Sequence, residues 1–342
     1  MRAFTNTLST LAIALVALAF LSTPSLADAD HGHPALPAPE HAPIGVMGDH
    51  MHENGEWMLS YRYMHMAMGG NRIGTNGIST ADTLNQFMVS PLEMDMGMHM
   101  LGTMYGVTDK VTVMAMVGHI KNDMDHVTRM GGEFTTNTKG FGDIKLSAMV
   151  SLVKQARHRV HATIGVSMPT GSISKRGAIP INPDAQLPYP MQIGSGTWDI
   201  LPALTYSGTS DRFYWGAQAS AVIRTGTNNR NYSLGNRLQL TAWNMLRLTE
   251  AFDAGLRVTY THWGRIDGAD PMLMPMMVQT ANPSLQGGDR VDLSLALNYQ
   301  FQNGALNGHR LAAEIGMPIY QNLNGPQMET DWVLTVGWQK SF

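Results

Sequence analysis

Apolar and polar residues alternate along most of this chain with period two, in stretches of about 10 to 14 residues, the pattern of membrane-spanning strands rather than of helices. Over residues 142–152, Ile144, Leu146, Ala148, Val150 and Leu152 share one face, and Asp143, Lys145, Ser147 and Ser151 share the other. Over 290–301, Val291, Leu293, Leu295, Leu297, Tyr299 and Phe301 oppose Arg290, Asp292, Ser294, Asn298 and Gln300. Only a strand with one face in lipid and one in water separates side chains this way. Further strands are expected at 56–67, 92–105, 110–121, 158–168, 196–207, 212–224, 234–246, 251–264, 309–320 and 330–342. The total of about twelve is even, as bacterial barrels require.

The connections fall into two classes that alternate in order. Short ones lie at 106–109, 153–157, 207–211, 248–250 and 302–308, and long ones at 68–91, 122–139, 169–195, 225–233, 264–289 and 321–329. A soluble β-sandwich has no reason to sort its connections by length. The fold class expected is therefore all-β, an antiparallel transmembrane β-barrel with both ends on the short-turn, periplasmic side. In the last strand Trp332, Leu334, Val336, Trp338 and Phe342 form the lipid row, a terminal-aromatic pattern of the kind that outer-membrane assembly machinery reads.

Ahead of the alternation, Arg2, the apolar run 11–21 and the small residues Ser25 and Ala27 form a cleavable export signal over 1–27. Residues 28–55, rich in His, Pro and Ala without a sustained period, are expected as a flexible periplasmic segment leading into a barrel over 56–342. Charged residues make up 14% of the chain, against about 25% in soluble domains, and net charge is −3. That balance excludes a nucleic-acid binder. Cysteine is absent, which removes disulfides, thiolate metal sites and thiol nucleophiles. The expected partners are outer-membrane lipid, the assembly machinery and a small-molecule or metal solute, in the outer membrane of a Gram-negative cell.

With apolar faces turned to lipid, the lumen receives Arg62, Glu93, Asp95, His99, Asp143, Lys145, His161, Asp199, Arg224, Arg237, Arg257, Arg290, Asp292, Arg310, Glu314 and Asp331. These charges either select a solute or close a narrow bore by pairing with one another. Methionine is abundant, with 27 residues. The same face rule sends Met94, Met96, Met98 and Met100 to lipid, and Met58, Met64, Met66 and Met68 to the lumen. Met272, Met274, Met276 and Met277 fall in a long external loop. Thioethers suit Cu(I), and the His-x-His pairs His31/His33 and His50/His52 suit Cu(II), Zn(II) or Ni(II). No cofactor is required by this pattern, but copper is the one it could hold. Signatures of metallopeptidases, nucleophile elbows and phosphate loops are missing, so an outer-membrane hydrolase would need a pair such as Ser167 and His161.

Several strings carry a family likeness: Gly140, Phe141, Gly142 and Asp143 opening a strand, residues 165–171 (Gly-Val-Ser-Met-Pro-Thr-Gly) closing one, and 194–199 (Gly-Ser-Gly-Thr-Trp-Asp) opening the next. With 318–321 and 323–327, they resemble the outer-membrane, transporter-like family named for a MetA pathway of phenol degradation, as a Met/His-rich subgroup. The resemblance implies a channel-type barrel with Gly142, Asp143, Pro169, Gly171, Gly196 and Asp199 at the rim, and no catalytic residue. The function expected is passive passage of small solutes, with a copper-binding barrel for metal capture or tolerance as the alternative and a hydrolase as the third.

Overall fold

The computed structural model describes residues 41–342; the expected export signal, with His31 and His33, lies outside the described residues. Eleven strands ring a barrel: β1 (Trp57–Gly74), β2 (Val89–Thr108), β3 (Val111–Thr128), β4 (Ile144–Lys154), β5 (His158–Met168), β6 (Ala203–Ser210), β7 (Phe213–Thr225), β8 (Arg237–Arg247), β9 (Phe252–Trp263), β10 (Gly288–Gln300) and β11 (His309–Ser341). Each pairs antiparallel with the next, and β11 closes the ring on β1.

An odd ring of strictly antiparallel neighbours cannot close, and β11 resolves the parity. Straight, its 33 residues would extend about 110 Å, several times the hydrocarbon thickness. It doubles back at Leu323, which pairs with Gly288 of β10 on one side and Gly74 of β1 on the other. The two halves of β11 give the twelve spans expected. The segment 321–329, expected as a loop, is the strand-paired tip of this hairpin.

The expected strand 196–207 is interrupted. Trp198–Ile200 pairs with β5 and β7, as β6 does, but Pro202 lies between the two pieces and lacks the N–H that a ladder needs. Elsewhere the boundaries move outward. β1, β2 and β3 have 18, 20 and 18 residues, about twice what a tilted membrane strand needs, so this side of the barrel rises above the bilayer. Lipid-facing rows include Leu59, Leu101, Leu152, Ile164, Leu204, Leu256 and Leu295, all exposed. Trp57 and Tyr105 meet at 4.6 Å between ring centroids at the short-turn end.

The segment expected to be a flexible leader enters the barrel instead. From His41 onward it forms a plug in the short-turn end of the lumen, with Ala42 and Val46 fully buried against Tyr214, Trp243 and Met245, and Ile44 buried beside Gly337. Its backbone is held by the wall on all sides. Arg310 Nη2 donates to the Ala42 carbonyl at 2.6 Å, the Gly45 N–H to Glu314 at 2.9 Å, Gln218 to the Met47 carbonyl at 2.9 Å, and the His52 N–H to Thr112 at 3.0 Å. At Gly45 a Cβ would lie 2.5 Å from Arg257 Nη2, so a larger residue here would have to displace the Arg257–Glu314 ion pair.

Candidate functional site: the lumen

Register fixes which side chains share a face, since residues directly opposite in an antiparallel pair point the same way. Buried Arg62 faces inward, and its partner on β2 is Met100. Below and above it the β1–β2 pairs are Met58 with Met104, Met64 with Met98, Met66 with Met96 and Met68 with Met94. The expectation that Met94, Met96, Met98 and Met100 face lipid is therefore overturned: they line the lumen. β3 continues the wall, with Met114 opposite Met104, Met116 opposite Gly102 and Met124 opposite Met94, and Met149 on β4 stands opposite inward Thr112.

Each step of two residues, about 7 Å along these strands, thus presents at least one inward thioether from Met58 up to Met68. Gly102 and Gly118 leave room for them. A Cβ on Gly118 would sit 3.2 Å from Met98 Sδ and 3.6 Å from Met100 Cγ. At the outer mouth Met94 and Met124 pack with Leu187 and Met191 of the long 169–202 loop, beside Met68, Met96 and Met328.

The inward turn of these methionines sends the alternate residues out. Asp95 and His99, expected in the lumen, lie on the outer face. Asp95 pairs with His65 at 3.1 Å, about ten residues above the short-turn end, where a tilted strand leaves the bilayer. His99 Nδ1 meets the Tyr61 hydroxyl at 2.7 Å and its ring packs on Tyr63, which satisfies its polar edge against lipid. Glu93 and Asp331 are exposed as well.

The remaining predicted charges fall on the facing wall and the rim. Arg257 binds Glu314 and also donates to Thr259 at 2.9 Å; Arg290 donates to Asp292 at 3.0 Å and to Thr330 at 2.6 Å; Arg224 binds Asp199. Arg310 holds Asn298 at 2.7 Å, together with Gln339 and the plug. Lys145, opposite Met116, and Arg237, opposite Val222, make no ion pair among the described residues and are exposed to the lumen. A cavity of about 240 Å³ above the plug is lined by both of them, by Arg257, and by Met114 and Met116.

Asp143 works at the rim. Its carboxylate accepts from the Gly171 N–H at 2.8 Å and from the Ser195 N–H and hydroxyl at 2.9 and 2.7 Å, which stitches both legs of the 169–202 loop to the barrel. The legs cross so closely that a Cβ on Gly194 would be 2.3 Å from the Gly171 carbonyl oxygen, and Gly196 takes a positive φ of 72°. This is the physical content of the glycine strings noted in the sequence.

The metal candidates separate. Met64 and Met66 belong to the thioether wall. Met272, Met274 and Met276 are exposed in an external loop, where Arg230 meets Met272 Sδ at 3.2 Å, and the Met277 carbonyl accepts from Met88 and Val89. His50 and His52 are in the plug, next to His41, and line a vestibule of about 560 Å³ at the short-turn end. Burial and then the Arg310 guanidinium hold His41 well below the ordinary imidazole range, and burial lowers His52 to about 4. Burial alone would raise the Asp49 carboxyl, but His50 beside it holds it well below its usual value. Ser167 and His161 stand six residues apart on β5, about 20 Å, and His161 Nε2 is 2.9 Å from the Gly48 carbonyl, so they form no catalytic pair.

The crystal structure of an outer membrane channel from Pseudomonas putida F1 is similar over 89% of this chain and 100% of that chain, with a TM-score of 0.61 at 13% identity, which shows a shared outer-membrane barrel fold. The KdgM porin is a looser likeness, with a TM-score of 0.42 at 10% identity over 83% and 99% of the two chains. A comparison with curated proteins finds no match. The family described as "Putative MetA-pathway of phenol degradation" matches residues 97–271, about half of the sequence and the core of the barrel from β2 to β9, and the chain belongs to that family.

Proposed function

We propose that the protein is an outer-membrane channel, gated at its periplasmic end by the plug, that passes small organic anions with an apolar body when the plug is undocked. The cavity above the plug carries this reading: Met114 and Met116 offer a deformable apolar surface, and two unpaired cations line the same space, Lys145 beside Met116 on the next strand and Arg237 on β8. The ion-paired lumen charges cancel locally, so these two, with Arg62 and Arg310 beside the plug, give the field its positive sign. Flux of benzoate and of uncharged benzyl alcohol into proteoliposomes tests it. Lys145→Gln with Arg237→Gln is expected to slow benzoate at least 10-fold and to leave benzyl alcohol within about 2-fold. Equal loss of both solutes, or of neither, sinks the proposal.

A second reading follows from the unbroken ladder of thioethers. The outer face of β1–β3 uses Leu59, Leu101 and Val113 for apolarity, whereas the inner face uses methionine, and sulfur is what distinguishes the two sets. Such a ladder suits a soft monovalent cation, Cu(I) or Ag(I). The cationic wall opposes it, by about 1.7 kcal/mol per unit charge at 10 Å and an effective dielectric of about 20. Replacing Met64, Met66, Met96 and Met98 with Leu keeps apolarity and removes sulfur. Ag(I) uptake lost while benzoate flux persists would favour the soft cation; both kept would exclude it.

A further inference from the structure

The plug is a hairpin in outline. Its first arm enters past β10 and β11, with the His41 carbonyl near Asn298, and its second arm leaves past β3, where the His52 backbone bonds Thr112. Where the arms meet, one potential ligand atom from each of His41, Asp49 and His50 lies within 4.8 Å of the others. The imidazoles continue in a row, with ring centroids 4.8 Å apart for His41 and His50 and 5.0 Å for His50 and His52.

This row is unusual in what it leaves unbonded. His41 Nδ1, His50 Nε2 and His52 Nε2 are buried without a hydrogen-bond partner among the described residues, and the His52 side chain is only 4% exposed. A buried imidazole nitrogen without a partner forfeits a hydrogen bond, and three in a row concentrate that cost in one place. The opposite edge of His50 is already oriented: its Nδ1 is 2.9 Å from Asp49 Oδ1, while Asp49 Oδ2 accepts the Ala42 N–H at 3.0 Å. A carboxylate that fixes the far side of an imidazole is the arrangement that aims a metal-binding nitrogen.

We propose that His41 and His50, with Asp49 behind them and His52 in reach, form a site for a borderline divalent cation, Cu(II) or Zn(II), that ties the two arms of the plug together. The donor chemistry fits imidazole-preferring metals. Ligands about 2.0 Å from a tetrahedral ion are roughly 3.3 Å apart, so rotation of the rings closes the remaining distance. Because the ion bridges residues on both arms, it stabilises the docked plug in proportion to its affinity. The site goes beyond the solute reading and does not depend on it, since affinity and plug protection are read here, not flux.

The test uses the full chain refolded in detergent, with His31→Ala and His33→Ala in every sample so that these exported histidines do not contribute. Calorimetric titration with Cu(II) or Zn(II) is expected to show one equivalent bound, and Zn(II) to slow proteolysis within residues 41–55 at least 10-fold. His41→Gln removes a ligand whose Nδ1 has no hydrogen-bond partner among the described residues, so metal-free cleavage stays near the parent rate while affinity falls at least 10-fold and Zn(II) protection is lost. His50→Gln gives the same loss of affinity. One equivalent bound with unchanged affinity in both variants, or no equivalent bound in the parent, overturns the proposal.

Discussion

Arg310 makes the shortest hydrogen bond from the barrel wall to the plug backbone, and its removal measures how firmly the lumen is closed. The guanidinium donates to the Ala42 carbonyl at 2.6 Å. A hydrogen bond from a charged donor contributes about 1.5–3 kcal/mol. Arg310→Met keeps most of the side-chain volume and leaves the Glu314, Gln218, His161 and Thr112 ties in place. At about 1.4 kcal/mol per decade, the undocked population should therefore rise roughly 10- to 150-fold. The native chain has no cysteine, so Val46→Cys introduces a single reporter at a position only 2% exposed. Its labelling rate with a maleimide polymer too large for the closed mouth reads the undocked fraction directly. Acceleration by less than about 3-fold, in a variant whose heat-shifted gel mobility shows an intact barrel, would refute the view that this bond holds the plug.

Two further outcomes follow from the same contacts. Gly194→Ala forces a Cβ onto the Gly171 carbonyl, which at an overpacking cost of about 1–3 kcal/mol should part the loop legs and speed proteolysis within 169–202 at least 5-fold while the barrel persists. His52 is neutral when docked because burial lowers it to about 4, whereas free imidazole titrates near 6.5, so the undocked state binds more protons between those values. Docking is then complete above about pH 6.5 and weakens as pH falls toward 4; Val46→Cys labelling should be faster at pH 5 than at pH 7.5, and a rate that falls instead would contradict the sign.

Much of the architecture was legible because lipid imposes one rule on every strand. Leu146, Val150 and Leu152, or Leu293, Leu295 and Leu297, show the outward row without any help from tertiary context. The rule misled at residues 93–100, where apolarity was equated with lipid. The corrective signal was present in the same strand: Leu101 and Tyr105 share parity with Glu93, Asp95 and His99, so the whole odd row had to point outward, with its charges beyond the bilayer edge. The inward assignment of Met64, Met66 and Met68 across the first hairpin required the same answer. The plug was not legible, because 41–55 is too short for a period and its Pro, His and Gly content matches a linker. Only the buried Arg310 and Glu314 opposite it disclose that the linker has a place to go. The rim role of Asp143 depends on two loop legs crossing, which no local pattern encodes.

The ties that seat the plug reach almost the full length of the chain, since Ala42 is held by a residue 268 positions later and Gly45 by one 269 positions later. Contacts of such separation come late in folding, because both partners must first be brought into register. The wall that receives Ala42 and Gly45 does not exist until β9, β10 and the first half of β11 are in place. Closure of the ring spans separations as large, with Met58 paired to Ser341, so the stopper, although it precedes every stave in the chain, can be seated only when the last stave arrives.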